Sequence, residues 1–204
     1  MSLKLVYFPA RGRAELSRVI MATAGVEWEE VAVSQETMPE WKSSGKLAFG
    51  QVPLLQDGDF NLVQSNTIAR YLARKYDLYG NEKAGAVSDM IIDGQNDFLS
   101  KLIPAVYPKF DQAKLDELKK EAIPNFLGSL EKILDSYSEF LGGDKLVLGD
   151  LALYLITEGY ISEYKFASEE DYPNLVAHMK KVAANENLAK YINGDKRFPV
   201  RPLQ

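Results

Sequence analysis

Two classes of structure follow one another in this chain: an α+β half built on a small mixed sheet, then an all-helical half. Three observations predict this. Short apolar or alternating runs suited to strands recur before residue 64, interleaved with patterns of helical period. Beyond residue 83 no strand pattern occurs. Between the two, residues 78–83 carry Gly80 and Asn81 among polar neighbours, as a linker does.

Leu3, Leu5 and Tyr7 alternate with Lys4 and Val6 as a first strand, which Pro9 and Gly12 break. Residues 13–24 put Leu16, Val19, Ile20 and Ala24 on one helical face, and Gly25 follows, the residue that takes a left-handed C-terminal position at least cost. Residues 26–33 supply a second strand, and residues 37–46, with Met38, Pro39 and Trp41, read as a short helix or loop. Val52, Leu54 and Leu55 form a short apolar run, Asp57-Gly58 is a hairpin signal, and Phe60, Leu62 and Val63 resume a strand. Ser65 then stands where an N-cap belongs, ahead of a helix with Ile68, Tyr71, Leu72 and Tyr76 at helical spacing and Arg70, Arg74 and Lys75 between them. The order β-α-β, an irregular segment, then β-β-α is the layout of a thioredoxin-like half on a four-stranded mixed sheet, here without its usual cysteines. Residues 1–77 therefore form the first domain and residues 84–204 the second.

In the helical half, residues 84–107 predict a long helix that bends near Pro104 and Pro108, and residues 111–140 a second one that kinks or breaks at Pro124. Residues 150–164 are apolar nearly all round and belong at the centre of the bundle. Residues 173–184 and 186–192 are short amphipathic helices, and His178 is expected on the surface or half-buried. The charged run 111–121 is a solvated face.

Composition excludes several chemistries. With no cysteine there is no disulfide framework, thiolate metal site or cysteine nucleophile, and a single histidine argues against a histidine metal cluster or a Ser-His-Asp triad. A net charge of −5 and a pI near 5.1 argue against nucleic-acid binding. No apolar run approaches membrane-spanning length, no leader layout follows Met1, and no lipidation signature precedes Gln204, so a soluble cytoplasmic protein with no membrane partner is expected.

Two stretches carry candidate chemistry. The helix beginning near Ser65 offers free backbone N–H groups and a hydroxyl, a seat for a carboxylate or phosphate, although a serine there commonly just caps its own helix. Upstream, Pro53 enters a strand and removes a ladder donor, so that something other than the sheet can pair with Val52. Tyr7 ends the first strand, with Arg11 and Arg13 around the following helix start.

These residues, as Tyr7-Phe8-Pro9, Arg11-Gly12-Arg13, Phe49-Gly50-Gln51-Val52-Pro53, Gln56-Asp57-Gly58-Asp59, Gln64-Ser65-Asn66-Thr67-Ile68, Leu78-Tyr79-Gly80 and Asp93-Gly94 with Asp97, carry a resemblance to the cytosolic glutathione transferases. It runs through the whole chain and is closest to the pi class, with sigma and mu classes as neighbours. The resemblance implies that Tyr7 donates its hydroxyl hydrogen to the sulfur of bound glutathione and favours the thiolate, with Arg13 adding positive potential. A thiol of pKa ~8.5 is only about 3% ionised at pH 7, and lowering it two units needs roughly 2.7 kcal/mol. One hydrogen bond to a charged sulfur supplies about 1.5 to 3 kcal/mol.

The resemblance further implies that the tripeptide pairs with Val52 beside a cis Pro53, that its γ-glutamyl carboxylate sits on Ser65 with Gln64 beside it, that Gln51 is a further glutathione-binding residue, and that Asp97 reaches the γ-glutamyl amine from a neighbouring subunit. Phe49 resembles an aromatic key into the partner, with Arg70 and Arg74 at the same two-fold homodimer interface. Phe8 and Tyr107 resemble parts of a pocket for a small apolar electrophile, Tyr107 as a donor to developing negative charge. No metal or redox cofactor is implied; glutathione is a co-substrate. Three positions depart from the pi pattern. Met38 replaces a tryptophan at the glycine-binding end, with Trp41 one turn on. Ser44 replaces a lysine, leaving Lys42 and Lys46 as partners for the glycyl carboxylate. Val147 replaces the cap hydroxyl ahead of Asp150, which is expected to weaken that helix start by about 1 kcal/mol. The expected function is conjugation of activated glutathione to electrophiles in detoxification; the alternatives are a glutathione-dependent isomerase of lipid peroxides and a non-catalytic ligand-binding or structural relative.

Overall fold

The computed structural model describes residues 3–137 and 139–202, so the expectations about the chain ends at Met1-Ser2 and Leu203-Gln204 fall outside the described residues. The chain divides into two compact units, residues 1–78 with 185–201, and residues 79–184 with 202–204.

The first unit is the α+β half. Strands β1 (Leu3–Tyr7), β2 (Trp28–Ala32), β3 (Leu54–Asp57) and β4 (Phe60–Val63) form one sheet in the order β2-β1-β3-β4. β1 runs parallel to β2 and antiparallel to β3, and β3 runs antiparallel to β4 through the Asp57-Gly58 hairpin, with Gly58 at φ 62°. The parallel crossover is made by a single 3-10 turn (Gly12–Ala14) and α1 (Glu15–Thr23), closed as expected by Gly25 at φ 68°. α2 (Met38–Ser43) resolves the ambiguous segment as helix, and α3 (Ser65–Lys75) packs its Ile68, Ala69, Leu72 and Ala73 face inward. α1 packs against α3 and against α9 (Glu186–Ile192).

By contacts, the last helix and the tail group with the first unit. Residues 185–201, assigned by sequence to the helical half, belong with the first unit. Trp28 meets Tyr191 edge-on at 5.8 Å between ring centroids, and Lys196 pairs with Glu27.

The second unit is all helical among the described residues: α4 (Glu82–Val106), α5 (Gln112–Lys120), α6 (Ala122–Leu134), α7 (Leu148–Thr157) continued by a π-helical turn (Glu158–Glu163), and α8 (Pro173–Ala183). The expected break near Pro124 is real, and it falls at Glu121, so that Pro124 lies in the first turn of α6, where its missing N–H costs no intrahelical bond. α7 packs against both α4 and α8, and Leu151, Leu153 and Ile156 are fully buried, as the all-round apolar pattern predicts.

Two expectations in this unit fail. His178 is buried, with Nε2 2.8 Å from Asp150 Oδ1. The start of α7 is not left uncapped: the Ser88 hydroxyl of α4 accepts from the Gly149 N–H at 2.9 Å, and Asp150 Oδ2 accepts from the Val147 N–H at 2.8 Å. Among the described residues, no helix is long and apolar enough to cross a membrane.

Candidate functional site

β1 delivers Tyr7 to the sheet's C-terminal edge, where the chain turns through the loop 8–14. The Tyr7 hydroxyl accepts from the Arg13 backbone N–H at 3.2 Å, which leaves its own proton for another acceptor. Gly12 makes this closeness possible. Its φ is +43°, and a Cβ there would lie 2.8 Å from Tyr7 Oη, so a side chain at position 12 would displace the hydroxyl. Phe8 packs edge-on against the Tyr7 ring at 5.7 Å.

The β1–β3 ladder ends with Val6 opposite Leu54, and one more step of that register puts Pro53 opposite Tyr7. The Val52-Pro53 peptide bond is cis. Val52 precedes the ladder, so among the described residues its backbone groups are not spent on the sheet, and they stand next to the Tyr7 strand end. Gln51 is exposed and Pro53 buried.

The helix start differs from the sequence expectation in one position. Gln64 is the cap residue of α3, in the left-handed region at φ 74° and ψ 109°, and Ser65 is the first helical residue. No side-chain hydrogen bond caps the helix, and the first helical bond runs from the Ile68 N–H to the Gln64 carbonyl. The N–H groups of Ser65, Asn66 and Thr67 therefore lack an intrahelical partner, and the half-buried Ser65 stands among them, an arrangement of donors that favours negative charge. A non-glycine residue at positive φ costs about 1 to 3 kcal/mol, the kind of strain retained at binding positions. α3 is pinned to the hairpin by Asp57, which accepts from Tyr71 Oη at 2.6 Å and pairs with Lys75. Lys75 first, then Tyr71, hold the Asp57 carboxyl below its usual range, and Asp57 in turn raises Tyr71 and Lys75.

Met38, Trp41, Val52 and Phe8 all pack on one apolar cluster of Val6, Val33, Leu47, Leu54 and Val63. The structure thus gathers Tyr7, Phe8, Arg13, Met38, Trp41, Val52, Pro53, Gln64 and Ser65 within the first unit. Ser44 is committed locally, its hydroxyl donating to the Trp41 carbonyl at 2.6 Å at the end of α2, while Lys42 and Lys46 are exposed. Phe49 is 68% exposed on the turn before Gly50. Arg70 and Arg74 line a groove with Phe60, Leu62, Thr67, Tyr71 and Lys75.

Asp97 and Tyr107 belong to the second unit. Asp97 is an exposed residue of α4, and Tyr107 caps its C-terminal end, 52% exposed beside Pro104 and a cis Tyr107-Pro108 bond. Among the described residues no group of three or more His, Asp or Glu side chains could hold a metal ion. The sequence marks Gly12 as a strand breaker and as part of Arg11-Gly12-Arg13, but not as the room for the Tyr7 hydroxyl, and the buried Glu15–Arg18 pair beneath the loop goes unmarked. The i, i+3 acid–base spacing on an otherwise apolar helix face was the available signal.

Residues 1–74 match a family model described as "Glutathione S-transferase, N-terminal domain" and residues 96–195 one described as "Glutathione S-transferase, C-terminal domain". The chain is 36% identical to "Glutathione S-transferase P 1" of Xenopus laevis, over 97% of this chain and 96% of that protein. Among solved structures it is similar to a Caenorhabditis elegans nematode-specific relative (TM-score 0.85, 35% identity, 98% of this chain and 99% of that one). It is also similar to a "monomeric" relative from the hookworm Necator americanus (TM-score 0.83, 32% identity, 94% and 96%).

Proposed function

Because the chain belongs to the glutathione S-transferase family of enzymes, we propose that its catalytic step is thiol activation by Tyr7, followed by attack of the glutathione thiolate on a small apolar electrophile. The observation that carries this reading is the Tyr7 corner: a hydroxyl that accepts from the Arg13 N–H, keeps its own proton, and stands beside the unladdered Val52 and the bare N-terminus of α3.

In this reading the peptide's backbone pairs with Val52, its γ-glutamyl carboxylate takes the Ser65 hydroxyl and the N–H groups of the α3 start, and Gln64 and Gln51 add polar contacts. That spacing sets the sulfur at Tyr7: the thiol's own proton leaves to solvent, and the Tyr7 O–H donates a hydrogen bond to the S⁻ lone pair, stabilising the thiolate by about 1.5 to 3 kcal/mol. The thiolate attacks the electrophilic carbon, the C–S bond forms, and the leaving group departs with its electron pair or the negative charge moves onto an activated acceptor. Met38 and Trp41 cover the glycyl end, with Lys42 and Lys46 as the charges nearest in sequence. Phe8 supplies apolar surface for the electrophile. No step needs a metal or redox cofactor.

The exposed Phe49 and the Arg70–Arg74 groove support a two-fold dimer, in which Asp97 reaches the γ-glutamyl amine of the other copy. Detoxification in the cytoplasm is the setting that fits this chemistry.

The test is thioether formation between glutathione and an activated aryl chloride at pH 6.5, with wild type and Tyr7→Phe side by side. The expected result is a clear rate above background that falls roughly 10- to 100-fold in the variant, the loss of one charge-stabilising hydrogen bond. Retention of glutathione without turnover would instead select a carrier, and isomerisation of a lipid peroxide without net glutathione consumption an isomerase.

A further inference from the structure

The buried ionic network beneath the Tyr7 corner has no part in the chemistry above, and it ends on the C-terminal tail. Arg18 is fully buried and donates from Nε and Nη2 to the Glu30 carboxylate at 2.7 and 3.1 Å. Its Nη1 donates to the carbonyls of Ala10 and Arg11 at 2.9 and 3.2 Å. Those carbonyls belong to the loop that returns the Arg13 N–H to the Tyr7 hydroxyl. The guanidinium carbon lies 6.0 Å from the centre of the Tyr7 ring and 4.8 Å from that of Phe198, so both rings contact one cation.

The tail is fixed to the same loop and helix. Arg11 Nε donates to the Phe198 carbonyl at 2.6 Å, and Arg197 Nε donates to Glu15 Oε1 at 2.9 Å. Glu15 also takes Arg18 at 3.3 Å and the Tyr191 hydroxyl of α9 at 3.3 Å, while Trp28 Nε1 donates to Glu30 at 2.7 Å. Burial works against the Arg18 charge, but Glu30 and then Glu15 outweigh it and hold the guanidinium firmly protonated. Burial and then Glu15 push the Tyr191 hydroxyl far above its ordinary range, so it remains a donor.

We infer that Phe198 is a positioning residue for the Tyr7 hydroxyl: its ring covers the Arg18 guanidinium, and the covered guanidinium holds the 10–13 loop against Tyr7. The inference rests on the reading of Tyr7 as the thiol-activating group. A guanidinium shielded from water keeps its hydrogen bonds to Ala10 and Arg11 strong; water admitted beside it competes for them. The loop then loosens, and with it the point at which Tyr7 meets the sulfur. Misplacement by about 1 Å costs up to about 100-fold in rate.

The experiment is the pH profile of kcat/KM for the aryl chloride at saturating glutathione, with KM for glutathione measured separately, in wild type, Tyr7→Phe, Phe198→Ala and Phe198→Tyr. The expected result for Phe198→Ala is a rising limb moved upward by about 0.5 to 1 pH unit and kcat/KM at pH 6.5 lowered about 3- to 10-fold, with KM changed less than about twofold. Phe198→Tyr, which keeps an aromatic face for Arg18, follows wild type. A Phe198→Ala profile that overlays wild type while Tyr7→Phe is shifted overturns this inference alone. An equal loss in both Phe198 variants with an unshifted limb marks mere packing and also overturns it. An unshifted Tyr7→Phe profile removes the Tyr7 reading and the inference with it. If Phe198→Ala does not fold, Phe198→Leu is read in the same way, a smaller upward shift supporting the inference and none overturning it.

Discussion

At the scale of single residues, Asp57 shows how one side chain holds α3, whose start is the proposed anion seat, against the sheet. It accepts from Tyr71 and pairs with Lys75, so it ties α3 to the β3–β4 hairpin, and its carboxyl is held below the usual range. A depressed folded-state value means that the carboxylate's contribution to stability is present above the unfolded value near about pH 4, and is lost as pH falls through the folded one. Asp57→Asn is therefore expected to lower the urea midpoint at pH 7, with the gap to wild type closing toward pH 2. A gap of equal size at both pH values would mean that the charge is not what matters. The Asp57-Gly58 hairpin was legible because turn chemistry is local; the partners of Asp57 were not, since Tyr71 and Lys75 reach it only once α3 lies on the sheet. Likewise Ser65 was legible as part of a helix start, but its place one residue inside the helix depends on Gln64 adopting φ 74°, which no local preference of glutamine predicts.

Among elements, the start of α7 makes the same point. Val147 has no hydroxyl, and from sequence the cap is missing. The structure supplies it from α4: Ser88 Oγ accepts from the Gly149 N–H at 2.9 Å while donating to the Ala84 carbonyl at 2.8 Å. A Cβ at Gly149 would lie 3.0 Å from Ser88 Cα, so the glycine is what lets the two helices come this close. Asp150 completes the cap, accepting from Leu141 and Val147 with His178 beside it. Ser88→Ala leaves a buried N–H without a partner, and is expected to destabilise by about 1 to 3 kcal/mol in chemical denaturation. Adding Val147→Thr, which restores a hydroxyl at the cap position, is expected to recover about 0.5 to 1 kcal/mol of this. A Ser88→Ala chain as stable as wild type would show that the hydroxyl is not the cap. Helix periodicity gave the existence of the helices and the break near Pro124, because both are properties of short windows; a cap contributed from 61 positions away is not.

At the scale of the whole molecule, the order of elements pointed to the thioredoxin-like half and the helical half, and the family models cover both. What short windows could not assign was the allegiance of the tail. Residues 185–201 read as one more piece of the helical half, yet Tyr191, Arg197 and Phe198 are held by Glu15, Arg18 and Arg11 of the first unit. Assembly is the property at this scale that the proposal adds. The proposed dimer predicts a sedimentation mass twice the 22.9 kDa of the chain, shifted toward the single-chain mass by Phe49→Ala. A 22.9 kDa species at all concentrations would contradict it, and would put the chain with its monomeric hookworm relative.

The proposed role of the Tyr7 hydroxyl is to favour a thiolate, and the most direct measurement is the ultraviolet thiolate absorbance of glutathione bound to the protein, titrated with pH in wild type and Tyr7→Phe. The account predicts ionisation of the bound thiol well below about 8.5 in wild type, and a return toward that value in the variant. The same titration curve in both proteins would contradict it.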